Sequence, residues 1–535
     1  MAYDPGLFSG SAHLASLFRS SVAVSGMTMV SRVLGFARDV ALARVFGASP
    51  AMDAFLVAFK IPNFLRRLFA EGAFAQAFVP VFAEYKTQED AAALRELADR
   101  VAGTLGLILF AVSVLGVLGA PLLILLFAPG FADDASQFTL AVDLLRITFP
   151  YLLFISLTAF VGGMLNAFGR FLVPALTPVL LNICLLLAAL VFAPRFAEPV
   201  RALAWGVFAA GIAQLLFQLP FVWRLRLLPL PRWGWAHAGV RRILRLMVPT
   251  LLGSSVAQIN LLLDTLIASF LAAGSLSWLY YSDRLMEFPL GVFGVAVATV
   301  ILPSLSQRHA GGSAEHFRAM LDWALRWMVL VGIPAAAGLA MLAWPILATL
   351  FYSASFQAAD VYMSTLSLVA YTLGLPALLL VKVLLPGFYA RQDTRTPVRI
   401  GIIAMVANMG LNLLFVVPLV RLGFTGPHMG LALATSCSGA LQAGLLYRQL
   451  RVAGVYRPSP GWARLWLQVV LAVAAMLGAL WLVGPPRQDW LLMSGASRGL
   501  WLAGLVGAAA AVYGAVLLLA GLRPADLRQS PESAG

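Results

Sequence analysis

Cysteine, histidine and lysine are all scarce in this 535-residue chain, and each scarcity removes a class of function. The two cysteines, Cys184 and Cys437, lie in apolar segments far apart in sequence, so they supply neither a disulfide framework nor metal-ligand spacing. They read as packing residues. The histidines, His13, His237, His309, His316 and His428, form no H-E-x-x-H and fall in or near loops and tails, which argues against a zinc site. None of the lysines follows a glycine, so G-x-x-x-x-G-K-[ST] is absent and the chain has no P-loop with which to hydrolyse ATP. Apposed acids and nucleophiles for a membrane-embedded transferase or phosphatase are also missing. The nearest, Asp133–Asp134, reads as a solvated loop pair.

Charge of both signs is sparse as well. Charged residues make up 11% of the chain against 61% hydrophobic ones, with a mean hydropathy of +0.89. That composition excludes a soluble globular protein and indicates an all-α polytopic membrane protein. A helix needs ~20 apolar residues to cross the hydrocarbon core. By that measure the sequence predicts fourteen spans, the first at 22–46 and the last at 499–521. The formal net charge of +14 comes from arginines scattered through short loops, with no separate basic domain or stacking platform for nucleic acid. Those arginines crowd alternate loops, which predicts a cytoplasmic location for both termini. The opening MAYDPGLFSGSAHLASLFRS lacks a basic region before an apolar core, so no removable signal peptide is expected and the first span is its own insertion signal.

The expected organisation is a cytoplasmic segment over 1–21, a six-helix bundle over 22–223, and a cytoplasmic, amphipathic linker over 224–241. A second six-helix bundle follows over 242–449, then two extra transmembrane helices over 461–521 and a cytoplasmic tail over 522–535. An internal repeat supports the two bundles: VFGASPAMDAFLVAFKIP (45–62) recurs as FLAAGSLSWLYYSDRLMEFP (270–289), with Gly47 and Gly274, and Pro62 and Pro289, each 227 residues apart. Asn182 precedes Asn408 by 226. Coincident offsets mark a duplicated transporter half, with the cargo site expected between the repeats.

One stretch breaks the apolar pattern. Residues 31–85 read as two helices yet carry Arg32, Arg38, Asp39, Arg44, Asp53, Lys60, Arg66, Arg67 and Glu71. A charge at bilayer depth costs ~3 kcal/mol on insertion scales, so such residues face a bundle interior or a watery cavity. Arginine predominates, and its fork grips phosphate through parallel hydrogen bonds, which suggests a phosphorylated or carboxylated cargo. The competing reading is structural pairing, for instance Arg67 with Glu71, and surface snorkelling for Arg44, Asp53 and Lys60. Gly35 is a place where the first helix could bend and turn Arg32 and Arg38 into one cavity.

In the second half Asp264 stands mid-span, and Asp283, Arg284 and Glu287 cluster before Pro289. Asn408, Asn412 and Thr435 offer oxygens that suit either a monovalent cation or an interhelical hydrogen-bond network.

The motifs SRVLGFARD (31–39), PNFLRRLFAEGAFAQAFVPVFAEY (62–85), APGF (128–131), SWLYYSDRLMEFPLGVFGVA (277–296) and PGFYARQDTRTPV (386–398) resemble those of the MurJ (MviN) lipid II flippase family of the MOP transporter superfamily. The resemblance runs from about residue 20 to 460. It implies an alternating-access transporter, not an enzyme, carrying undecaprenyl-diphosphate-linked disaccharide-pentapeptide from the inner to the outer leaflet of the bacterial cytoplasmic membrane. By resemblance, Arg32, Arg38, Arg66 and Arg284 line a cationic cavity shared with Asp39, Asp53 and Glu287, and the last two spans form a groove for the polyprenyl tail. A sodium site of the family resembles Asp264, Asn408, Asn412 and Thr435, but Asn412 stands where the pattern has an acid, which puts sodium coupling in doubt. The remaining expectations are no cofactor, drive from sodium or the membrane potential, lipid II and membrane lipids as partners, no nucleic acid, and function as a monomer. The alternative is an exporter of another lipid-linked oligosaccharide or a small-molecule antiporter on the same scaffold.

Overall fold

Apolar runs become helices here because a helix satisfies every backbone N–H and C=O within itself, which lipid cannot do. The computed structural model describes residues 9–68, 74–87, 90–294 and 314–523, and among them no strand forms. The chain divides into two units, residues 1–270 and 271–535. The first holds α1 (Ser9–Phe46), α2 (Pro50–Arg66), α3 (Ala75–Thr87), α4 (Ala91–Leu118), α5 (Ala120–Phe127), α6 (Ala135–Thr148), α7 (Tyr151–Ala167), α8 (Leu172–Leu187), α9 (Val200–Arg224) and α10 (Ala238–Ser269). The second holds α11 (Ser275–Pro289), α12 (Ala314–Met341), α13 (Ala343–Leu350), α14 (Ala358–Thr372), α15 (Leu375–Tyr389), α16 (Arg395–Arg421), α17 (Met429–Val452), α18 (Trp462–Val483), α19 (Arg487–Leu492) and α20 (Gly495–Leu519).

Among the described residues, nine helices are long and apolar enough to cross a membrane, or ten if α14 and α15, bent by 41°, count as one span. Three others fall outside that set for an informative reason. Helices α2 and α11 are short, and the C-terminal half of α1 carries Arg32, Arg38, Asp39 and Arg44. The helices bearing the candidate arginines and their acids thus fall outside the apolar set. Helix α1 is also unbroken at Gly35, so the glycine does not interrupt it.

In the first unit, Phe74, just before α3, and Phe78 and Phe82 within it recur at i, i+4 spacing and are buried. Phe78 packs at 5.1 Å from Phe160 of α7, and the cluster extends to α4 and α10 through Leu97, Val101 and Ile243. Each aromatic buries roughly 150–250 Å², so this ladder is the main apolar anchor of the unit. The linker after α9 is non-helical until Ala238 and is pinned to α4. Asp99 accepts from Leu230 N at 2.7 Å and, through its carbonyl, from Arg232 N at 3.0 Å. Gly103 is needed there, since a Cβ would lie 2.2 Å from the Arg232 carbonyl oxygen. The linker leaves Trp233 and Trp235 stacked at 6.0 Å on the outside.

In the second unit, α18 and α20 pack on α12 through Val329, Leu330, Val469, Ala472 and Leu517. Their approach is held at one end by Asp322, which accepts from Tyr456 Oη (2.6 Å) and Trp462 Nε1 (2.8 Å) and pairs with Arg326 (2.7 Å). At the other end Arg498 donates to the Ala348 and Leu491 carbonyls and lies over Tyr352. The outward faces of α16, α18 and α20 present Leu413, Leu414, Leu467, Leu482 and Leu500, as a lipid-facing surface should.

The repeat has a conformational signature. Gly47 (φ 65°), which follows α1 three residues before α2, and Gly274 (φ 94°), which directly precedes α11, both adopt the left-handed conformation. Such a φ strains any residue with a Cβ, which explains the shared glycine. After Pro62 and Pro289 the chain widens into π-helical turns at 67–68 and at Leu290–Gly294, a distortion that recurs at functional sites.

Candidate functional site

In the first unit the charges gather on α1, α2 and their neighbours. Arg38 turns back on its own helix, donating through Nε (2.9 Å) and Nη2 (2.7 Å) to one oxygen of Asp39, while Nη1 donates to Asn182 Oδ1 of α8 at 2.9 Å. Asp39 is 3% exposed. A carboxylate that deep costs several kcal/mol unless paired, and the guanidinium supplies the pairing. Arg32 points elsewhere and is exposed, as six residues of helix (about 120° of rotation) require. Gly35 therefore does not bring the two arginines onto one face.

Helix α2 is capped by Ser49, whose hydroxyl accepts from Met52 N at 3.2 Å, and Asp53 sits buried in its first turn, where the positive end of the helix dipole favours an anion. Farther along, Lys60 Nζ donates to Thr265 Oγ1 of α10 at 2.6 Å. An ammonium is thus held one residue from Asp264. Arg66, in the last turn, donates through Nε to Asn63 Oδ1 at 2.9 Å. Glu71, the expected mate of Arg67, lies outside the described residues.

The second unit repeats the arrangement of arginine parked on acid. Arg284 Nη1 meets Glu287 Oε2 at 2.6 Å along one face of α11, with the guanidinium over the Tyr280 ring at 5.1 Å. Both side chains are partly exposed, so this pair is less committed than Arg38–Asp39. Asn408 and Asn412 on α16 are wholly buried, and Asn408 Oδ1 accepts from Ser438 Oγ of α17 at 3.1 Å. Thr435 is one turn before Ser438 and takes the Ser438 hydroxyl on its carbonyl at 3.0 Å. Asp264 belongs to the first unit and the other three candidate cation ligands to the second.

Sequence reasoning did not assign roles to Asn182, Thr265 and Ser438, the neutral partners that hold Arg38, Lys60 and Asn408. A signal existed for Asn182, an amide in the otherwise apolar run LVPALTPVLLNICLLL.

Known proteins place this chain in a family. Residues 42–499 match the family model described as lipid II flippase MurJ. The chain is 50% identical over 510 residues to the probable lipid II flippase MurJ of Haemophilus influenzae, covering 93% of this chain and 98% of that one. It is 44% identical over 469 residues to the lipid II flippase MurJ of Burkholderia cenocepacia, covering 87% and 90%. Among solved structures, a lipid II flippase MurJ in an inward closed conformation superposes with a TM-score of 0.77 at 27% identity, over 92% of this chain and 98% of that one. An inward-facing multidrug resistance MATE transporter of the MOP superfamily shares the fold with a TM-score of 0.65 at 16% identity, over 81% and 98%. A multi-pass, all-helical membrane protein with these matches belongs to the lipid II flippase MurJ family.

Proposed function

We propose that this chain moves lipid II, the undecaprenyl-diphosphate-linked peptidoglycan precursor, from the inner to the outer leaflet of the bacterial cytoplasmic membrane by alternating access. It does so as a monomer with both termini in the cytoplasm. The observation that carries the reading is the pairing of Arg38 with Asp39 and of Arg284 with Glu287, one in each unit. An arginine held against a carboxylate keeps its charge compensated while the carrier is empty. A diphosphate, with more negative oxygens than a carboxylate, competes for the fork, so cargo exchanges for an internal counter-ion. Arg32 and Arg66 add cationic contacts, and Asp53 balances their charge. The apolar pair α18 and α20 takes the polyprenyl tail, which stays in lipid while the head group crosses.

No P-loop supplies the work, so it comes from a gradient. The membrane potential offers ~2.3 kcal/mol per charge per 100 mV and acts directly on the arginines. Asp264, Asn408, Asn412 and Thr435 fit a sodium ion poorly. They supply one formal negative charge, the ammonium of Lys60 is bound at Thr265, the next residue after Asp264, and the Asn408 oxygen already accepts a hydroxyl. The potential is therefore the favoured driver. The decisive experiment is a leaflet-accessibility assay for lipid II in cells depleted of this protein. Outward exposure should fall, and unchanged exposure overturns the proposal.

A further inference from the structure

We infer that Asn182 is the positioning residue for the Arg38 guanidinium and thereby sets the affinity for the lipid-linked diphosphate without contacting it. The inference rests on Arg38 engaging the diphosphate, as proposed above.

Asn182 lies mid-helix in α8 and is only 6% exposed, so its amide must find partners inside the protein. It finds both on α1. Oδ1 accepts from Arg38 Nη1 at 2.9 Å, and Nδ2 donates to the Ser31 carbonyl at 3.0 Å. These two contacts fix the amide's orientation chemically. A guanidinium only donates and a carbonyl only accepts, so the flipped amide would put N–H against N–H and oxygen against oxygen. The amide spans two turns of α1 over Gly35, where a Cβ would sit 3.5 Å from Nδ2. Any side chain there larger than alanine would press on the amide.

The consequence falls on the guanidinium. Asp39 takes the Nε and Nη2 edge and Asn182 takes Nη1, so the plane of the fork is defined by two elements and not by α1 alone. Asp39 is a neighbour in sequence and can follow Arg38 wherever it swings. Asn182, anchored on another helix, cannot. When the diphosphate displaces the carboxylate, the neutral amide stays and keeps the fork aimed, so the ordering of a flexible arginine is already in place before cargo arrives.

The test uses the full-length protein in nanodiscs, with undecaprenyl diphosphate as probe. Asn182→Ala should weaken binding by on the order of tenfold to a hundredfold, the usual effect of losing a hydrogen bond to a charged group. In an Arg38→Gln background the same substitution should change binding by less than about twofold, because there is no guanidinium left to aim. Asn182→Asp keeps an acceptor for Nη1 but adds a second anion. Its binding at pH 7 should be weaker than that of Asn182→Ala and should recover, relative to the parent, as acid protonates the introduced carboxylate. A purely structural amide would show no such pH profile. If Asn182→Ala does not fold, the Asn182→Asp profile decides. Parent-like binding by Asn182→Ala alongside weak binding by Arg38→Gln overturns the positioning role alone, as does full additivity of the two. Parent-like binding by Arg38→Gln overturns the assignment of Arg38 to the diphosphate and the positioning with it.

Discussion

Tyr456 Oη donates to Asp322 Oδ1 at 2.6 Å, and that bond fastens the loop after α17 to the first half of α12. The same carboxylate holds Trp462 Nε1 and Ser459 N, and Arg326 bridges it to the Pro460 carbonyl. Burial, and then the carboxylate alongside, push the Tyr456 hydroxyl above its ordinary pKa. The junction lies at the start of α18 and so holds the end at which α18 packs against α12.

Asp322→Ala should therefore cost roughly 3 kcal/mol or more, since it strands several buried donors at once. Tyr456→Phe, which removes a single bond, should cost about 1 kcal/mol. Thermal unfolding in detergent measures both, with limited proteolysis across 453–461 as the local readout. Equal midpoints for Asp322→Ala and the parent would show that apolar packing alone seats the two helices.

The arginines should separate by what each leaves behind. Arg32→Ala, Arg66→Ala and Arg284→Ala should abolish transport in a folded protein, because none of these three side chains is buried. Arg38→Ala should in addition lose about 1.5–3 kcal/mol, since the buried Asp39 loses two charge-assisted hydrogen bonds. Adding Asp39→Asn to Arg38→Ala should restore stability but not transport. Lysine at 32, 66 or 284 should recover only part of the activity, for want of the bidentate fork. Complementation of a depleted strain, paired with unfolding midpoints, checks each case.

Energy coupling can be separated in reconstituted vesicles. With potential as the driver, flipping should follow an imposed potential without sodium, and Asp264→Asn should behave like the parent. Flipping that needs a sodium gradient at zero potential, and loses that need in Asp264→Asn, would instead assign the coupling to Asp264.

Acid should destabilise the second unit through His428. This imidazole precedes α17, is fully buried beside Trp278, and donates through Nε2 to the Met363 carbonyl at 3.0 Å. Asp360 accepts from Trp278 Nε1 at 2.9 Å, on the ring that lies beside the imidazole. Burial lowers the His428 pKa from 6.5 to about 4, against a weaker opposing effect of the Met363 bond. The folded pKa is the depressed one. Above pH 6.5 both states are neutral and His428 adds no pH dependence, while between 6.5 and 4 only the unfolded chain takes the proton and stability falls. Unfolding midpoints measured from pH 7.5 to 4 should show that slope, and His428→Gln should flatten it.

Much was legible without coordinates, and the reasons are physical. Apolar runs bounded by arginine-rich loops specify membrane helices whatever their neighbours, because lipid offers the backbone no alternative partner. The matched Gly47 and Gly274 were visible as a repeat, and their shared left-handed φ follows from having no Cβ. The isolated arginines and acids announced themselves by their cost in lipid. What tertiary structure decided was pairing. Arg38 and Asp39, consecutive in sequence, point to different sides of an ideal helix, yet in the fold they pair, with the amide of Asn182 reaching over from α8 to the same guanidinium. Lys60 finding Thr265 across 205 residues, and Asp322 finding Tyr456 across 134, are likewise invisible to periodicity. Sequence determines which groups are too costly to leave alone in a membrane. The fold determines which partner each one meets, because that depends on distances between helices that no local pattern encodes.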